Sequence, residues 1–259
     1  MHGLGNDFVI LDARAEPVTM TPALARAIAE RHRGVGCDQL IILCASENAD
    51  LRMDIYNADG GRAEACGNAT RCVISLTGAG TIETDGGVLR GAVDGSVVEV
   101  MLEPPKFDWT QIPLAYAMDT ADLPMAWDEL GGPAAVNVGN PHLVFFVEAI
   151  DDQRLRELGP RIEHDPAFPE RINVNLAMVQ NGGIELRTWE RGAGITLACG
   201  TGACATAVAA IASRRAVSPV RVMMAGGDLT IAWAPGEPIV MRGPATHVFS
   251  GKIDLEALA

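Results

Sequence analysis

The chain has 259 residues, 48% hydrophobic and 20% charged, a composition able to bury its own core in one large domain or two modest ones. Its 33 acidic and 20 basic side chains give a formal net charge of -13, which repels phosphate backbones and excludes nucleic acid as the expected partner. Six cysteines are too few for a disulfide scaffold and suit a reducing compartment.

The chain opens MHGLGNDFVILD, with neither a basic n-region nor a long apolar h-region. Its apolar runs at 40–43 and 143–147 are far too short to span a bilayer, so no membrane partner is expected and a soluble cytoplasmic protein is. The first predicted helix begins at Thr21-Pro22, a capping residue followed by proline at the first helical position. Leu24, Ala27 and Ile28 form its apolar stripe, and Gly34 follows its end. A second helix is expected at 67–76. Strands are expected at 81–84 and 97–102, and the Pro-rich stretch 104–133 reads as a linker. A short helix over 151–158 is stopped by Gly159-Pro160. Strands follow at 184–189, 220–224, 229–233 and 239–242. Between them an Ala-rich helix runs from Gly200 to Arg215, ending on the basic pair Arg214 and Arg215. Many short strands around one long helix per half give an α+β class.

The halves repeat. Cys-Gly precedes a helix at Cys66 and again at Cys199, and each is preceded by a strand ending in a polar residue, Asn57 in DIYN and Glu190 in RTWE. Gly5-Asn6 and Gly139-Asn140 each lead into an apolar strand, and Gly86-Gly87 and Gly226-Gly227 each mark a strand turn. Matches in the same order at nearly constant offset argue for two copies of one unit.

The repeat puts Cys66 and Cys199 at helix N-termini. Unpaired amides and the positive end of the dipole favour a thiolate there and also cradle a carboxylate. Gly67 and Gly200 let the backbone approach a ligand. Two such thiols on opposite sides of one carbon would form an acid–base pair: one removes the proton beside a carboxylate and the other returns one from the far side. Cys37, Cys44, Cys72 and Cys204 read as small buried hydrophobes. The spacings of Cys66 to Cys72 and Cys199 to Cys204 do not fit a zinc site, so no metal is expected.

MHGLGNDFVILD, RGVGCDQLIIL, YNADG-(x)5-CGN-(x)2-RC, VGNPHLVFFV, INVN and WERGAG-(x)4-CGTGACA, in this order over nearly the whole chain, resemble the diaminopimelate epimerases. Proline-racemase-like and phenazine-biosynthesis-like proteins share that fold but are not expected to carry GLGNDF, GNPH and WERGAG together. The resemblance implies a cofactor-independent, homodimeric enzyme that interconverts LL- and meso-diaminopimelate in lysine and cell-wall precursor synthesis. It implies two similar domains, 1–108 joined by 246–259, and 109–245. Each is a barrel-like, mostly antiparallel sheet around a central helix, with the active site between them.

Carried over residue by residue, the resemblance makes Cys66, Cys199, His142 and Glu190 the catalytic residues, the cysteines as the acid–base pair and His142 and Glu190 near the reacting amine. Gly67, Asn68, Gly200 and Thr201 become the amide cradle, and Asn6, Gln39, Asn57, Asn140, Asn173 and Arg191 the remaining substrate contacts. Arg191 suits a distal carboxylate. Read alone, Asn6 and Asn140 also fit turn residues, Arg62, Arg71 and Arg191 fit solvated surface charges, and His142 fits a satisfied core histidine. The sequence departs from the family pattern at Gly61, Ala69 and Ile195. Its Met1 is the methionine of the first motif, where members usually carry a few more residues and a strand ahead of it. The residues also leave open a racemase of this fold acting on another amino acid, or a non-catalytic thiol or metal-binding module.

Overall fold

The computed structural model describes residues 1–64 and 66–258, and the chain divides into two units, Met1–Val100 with the chain from Gly243 onwards, and Met101–Arg242. The first unit holds β1 (His2–Gly3), β2 (Asn6–Asp12), α1 (Pro22–Ala29), β3 (Gln39–Cys44), β4 (Leu51–Asn57), β5 (Arg62–Ala63), α2 (Gly67–Thr77), β6 (Thr81–Thr84) and β7 (Gly87–Asp94), and β8 (Val97–Leu102) leads out of it. The second holds β9 (Ala126–Trp127), β10 (Leu130–Gly131), β11 (Ala134–Asn137), β12 (Pro141–Phe146), α3 (Asp152–Glu163), β13 (Asn173–Gln180), β14 (Gly183–Glu190), β15 (Gly194–Ile195), α4 (Gly200–Ala212), β16 (Val220–Met224) and β17 (Gly227–Ala232), and β18 (Ile239–Pro244) leads out.

The topology repeats strand for strand. The order β1-β2-β3-β4-β6-β7 in one unit matches β11-β12-β13-β14-β16-β17 in the other, and β5 and β15 flank β4 and β14. Parallel pairs occur at equivalent places, β2 with β3 and β4 with β6, then β12 with β13 and β14 with β16, among otherwise antiparallel neighbours. Each parallel pair needs a crossover, and α1, α2, α3 and α4 supply them. In each unit a two-residue turn joins the hairpin that follows the second helix, and Gly87 and Gly227 sit just after it at φ +117 and +131. These are backbone shapes that side chains rarely adopt.

Each sheet is covered on two sides. Leu40 and Ile42 of β3 pack with Ala25, Ile28 and Ala29 of α1, while Ile41 and Leu43 are buried on the opposite face. In the second unit Leu143, Phe145, Val174 and Leu176 pack with Leu155, Leu158 and Ile162 of α3. The alternate residues of those strands face α4, which touches β11 to β14, β16 and β17, strands from both ends of the sheet order. So the sheet wraps this helix, and every residue of α4 from Gly202 to Ala210 is buried. A helix apolar all round is the sequence form that such enclosure requires.

Three expectations change. The stretch 104–133 is not a linker: Ile112, Leu114, Leu123, Trp127 and Leu130 belong to the second unit's core. The Trp127 indole donates to Asp165 at 2.9 Å and packs edge-on to Phe145. α3 does not stop at Gly159-Pro160 but runs to Glu163. Pro160 forgoes one helical hydrogen bond, and burial of Ile162 in the next turn offsets that loss. Gly159 is there for packing, because a Cβ would stand 2.5 Å from Trp189 Cδ2. Finally, α4 ends at Ala212, ahead of its basic pair. Arg214 turns left-handed at φ 60, its amide donating to Ile211 O at 3.0 Å and the Arg215 amide to Ala210 O at 2.8 Å. This is a Schellman ending with arginine where glycine is usual. The Arg215 guanidinium lies 4.7 Å from the Phe146 ring centroid.

Two substitutions test this packing by chemical denaturation. Gly159→Ala drives a methyl into the Trp189 ring and is expected to lower stability by about 1–3 kcal/mol. Arg214→Gly relieves the left-handed backbone and is expected to raise stability by about 0.5–1 kcal/mol.

Candidate active site

In the first unit the site is built at the start of α2. Cys66 is the N-cap, and its sulfur accepts the Ala69 amide at 3.5 Å. Its thiol lies 3.9 Å from Asn6 Oδ1, which also accepts from Asn68 Nδ2 at 3.3 Å. Asn6 is held from behind, donating to Asp38 Oδ2 at 3.1 Å, and Arg31 bridges Asp38 and Asp7 at 2.7 and 2.9 Å. The Arg31 guanidinium holds the Asp7 carboxyl below its ordinary range. Asn68 accepts from Arg71 Nη2 at 2.7 Å. Arg71 is not the solvated charge expected of it: it is fully buried, and its Nε also reaches Pro244 O at 3.4 Å. A buried guanidinium needs such partners, and here they fix an amide at the site. Arg62 is the surface charge, paired with Asp54 and Asp85. Gln39 and Asn57 face each other across β3 and β4, Gln39 Nε2 donating to Asn57 Oδ1 at 2.9 Å. Gln39 Oε1 is buried with no partner among the described residues, an acceptor open to an ammonium group.

In the second unit Cys199 caps α4 in the same way, accepting the Gly202 amide at 3.3 Å, with Thr201 Oγ1 at 3.5 Å. It also hydrogen-bonds with the Glu190 side chain, whose Oε1 accepts from Thr196 Oγ1 at 2.5 Å. The helix N-terminus does not make Cys199 a thiolate. Burial pushes its pKa well above the ordinary thiol value, and the Glu190 carboxylate pushes the same way. One amide and one hydroxyl cannot replace the water lost by a thiol that is 4% exposed. Burial likewise raises Glu190.

His142 is fully buried on β12, with Nε2 2.9 Å from Asn140 Oδ1 and Nδ1 3.1 Å from Asn175 Nδ2. Burial, helped by the nearby Arg191 charge, pulls its pKa down to about 3. Asn173 is buried and uses its amide on the backbone, donating to Pro141 O at 2.8 Å and accepting the Arg191 amide at 2.9 Å. Arg191 donates through Nη1 to Glu170 O at 2.8 Å.

The sequence model of the diaminopimelate epimerase family matches residues 1–107 and 134–248. The chain belongs to the diaminopimelate epimerase family. A diaminopimelate epimerase of Rhizorhabdus wittichii is 63% identical, covering 99% of this chain and 95% of its own. One of Sphingopyxis alaskensis is 62% identical, covering 98% and 96%. Among solved structures, a phenazine biosynthesis protein of the PhzF family from Bacillus anthracis has a similar fold at 17% identity and a TM-score of 0.64, covering 94% of this chain and 92% of its own. A hydroxyproline epimerase from Agrobacterium vitis, with bound trans-4-hydroxy-L-proline, does so at 15% identity and 0.63, covering 94% and 87%.

Of the residues that the family motifs single out, Asn6 links Cys66 and Asn68, Thr201 and Glu190 meet Cys199, and Asn140 meets His142, while Gln39 pairs with Asn57 and Asn173 with the Arg191 amide. Ala69, a departure from the family pattern, supplies its amide to Cys66 and has its side chain fully buried. Ile195, another, packs against the core of the second unit. No helix among the described residues is long and apolar enough to cross a membrane. Several positioning residues escape sequence reading. Glu163 accepts from the Trp189 indole at 2.7 Å and the Gly192 amide at 3.0 Å, and so brackets Glu190 and Arg191. Asn175 and Thr188 sit beneath Cys199, where a Cβ on Gly202 would stand 2.8 and 2.9 Å from their oxygens. The available signal was period two: Asn175 follows Asn173, and Thr188 precedes Glu190, by two residues on a strand.

The buried imidazole makes a pH prediction. It titrates near 6.5 when exposed and at about 3 when folded, so unfolding takes up a proton between those values. Its contribution is complete above about pH 6.5 and is lost as pH falls towards 3, by about 1.4 kcal/mol per pH unit. Urea unfolding at pH 7 and pH 5 is expected to show a loss of about 2 kcal/mol from this residue, and His142→Gln should remove that part of the pH dependence.

Proposed function

We propose that this protein interconverts LL- and meso-diaminopimelate without a cofactor, using Cys66 and Cys199 as its acid–base pair. The observation that carries this reading is the equivalence of the two cysteines: each is the N-cap of the second helix of its unit, and each accepts the amide three residues on. In one direction the Cys66 thiolate removes the α-proton and leaves a planar carbanion. The Cys199 thiol, which burial keeps protonated, delivers its proton from the opposite face and is left as thiolate. The Glu190 carboxyl takes part in Cys199's protonation through their hydrogen bond. The reverse direction exchanges the thiols' roles.

The amides of Gly67, Asn68, Gly200 and Thr201 hold the carboxylate on which charge builds. Asn6, Gln39, Asn57, Asn140, Asn173 and Arg191 contact the rest of the substrate. Gln39 offers its unpartnered oxygen to an ammonium, and Arg191 its remaining donors to the distal carboxylate. His142, neutral and enclosed, serves this site by orienting Asn140. Asn173 shapes the turn that carries Arg191. The reaction belongs to lysine and cell-wall precursor synthesis in the cytoplasm, carried out by a homodimer.

The test is incubation of the reduced protein with LL-diaminopimelate in deuterated water. The meso product is expected to carry deuterium at the inverted α-carbon, and Cys66→Ala and Cys199→Ala each to lower turnover by about 10²–10⁴-fold or more. Absence of inversion, or inversion without deuterium, defeats the proposal. Proline serves as the control substrate and is expected not to react.

A further inference from the structure

Two buried side chains beneath Cys199, Asn175 and Thr188, are used by none of the steps above, and with His142 they form a directed chain of hydrogen bonds. Asn175 and Thr188 are register partners on β13 and β14, and both are at least 97% buried, with exposures of 0% and 3%. The direction of the chain is set by a main-chain group. Leu143 O can only accept, and Asn175 Nδ2 donates to it at 2.8 Å. The Asn175 amide therefore cannot flip. Its oxygen accepts from Thr188 Oγ1 at 2.9 Å, and the second hydrogen on Nδ2 points at His142 Nδ1, 3.1 Å away. His142 Nδ1 must then be the acceptor, so the ring proton sits on Nε2. That proton meets Asn140 Oδ1 at 2.9 Å. With its oxygen turned to His142, half-buried Asn140 has its NH₂ group free to face outward as a donor.

We propose that Asn175, backed by Thr188, is a positioning residue that fixes the Nε2–H tautomer of His142 and thereby orients Asn140 to donate from its NH₂ group to a carboxylate of the substrate. This rests on the reading of Asn140 as a substrate contact. The same pair also abuts the first turn of α4. Gly202 lies so close that a Cβ there would stand 2.8 Å from Asn175 Oδ1 and 2.9 Å from Thr188 Oγ1, and its amide is the one that Cys199 accepts. A single buried amide thus sets both the donor at Asn140 and the seat of the capping turn. Polar networks of this kind specify one arrangement when every member is satisfied.

The tautomer can be read without substrate, so it tests this proposal separately from the activity. Long-range proton–nitrogen spectra of the uniformly ¹⁵N-labelled protein at pH 7, with the His142 ring assigned by its loss in His142→Gln, are expected to show neutral imidazole with Nδ1 unprotonated and the proton on Nε2. Asn175→Asp replaces the donor by an acceptor and is expected to place a proton on Nδ1. Thr188→Val removes the hydroxyl and is expected to raise KM about tenfold with kcat changed less than about threefold, while Thr188→Ser keeps the hydroxyl and stays within about twofold of the parent on both. A parent ring protonated on Nδ1 overturns the proposal whether or not the protein proves to be an epimerase. So does an unchanged tautomer in folded Asn175→Asp. If that variant does not fold, equal KM values for Thr188→Val and the parent overturn it instead.

Discussion

Surrounding a helix with sheet removes water from its first turn, and the amides there must find other acceptors. The second unit meets this constraint at α4, which is buried at Gly200 and from Gly202 to Ala210. A cysteine sulfur at the N-cap accepts one amide, at 3.3 Å. The first unit repeats the arrangement at α2, at 3.5 Å. Sulfur is a weak acceptor, and the positive end of a helix favours a negatively charged ligand. The fold and the proposed chemistry thus share one cause, the helix start that each unit caps with a cysteine.

Enclosure also decides protonation. A helix N-terminus favours a thiolate, and burial disfavours it. At Cys199 burial wins, and the raised Glu190 beside it follows from the same loss of water. His142 answers in the opposite sense, as a base must: burial keeps it neutral. The second unit therefore presents an uncharged thiol and an uncharged ring, with Glu190 beside the thiol and Arg191 exposed at the rim.

The two copies orient equivalent asparagines by different means. Asn6 is held by Asp38, which Arg31 ties to Asp7 in a solvent-exposed cluster. Asn140 is held by His142, Asn175 and Thr188, all buried. Topology is common to both units, yet the groups behind the site have diverged. An exposed ion-pair cluster is screened by water and salt, whereas a buried neutral chain is not.

Much of this was legible in the chain itself. Period-two and period-3.6 patterns, the Thr21-Pro22 start, the Gly-Gly turns and the repeated Cys-Gly before a helix determined the α+β class, the doubled unit and the two cysteines, because local stereochemistry writes them into short stretches of sequence. Family motifs named the residues around them. Tertiary structure decided the rest. It carried α3 past Gly159-Pro160, since Ile162 and Trp189 needed that turn, and packed the stretch around Trp127 into the core despite its prolines. It buried Arg71 to hold Asn68, made Cys199 a thiol, and assigned the tautomer of His142 through a carbonyl of the next residue. Desolvation and hydrogen-bond direction depend on what surrounds a group from every side, and residues far apart in the chain supply those surroundings.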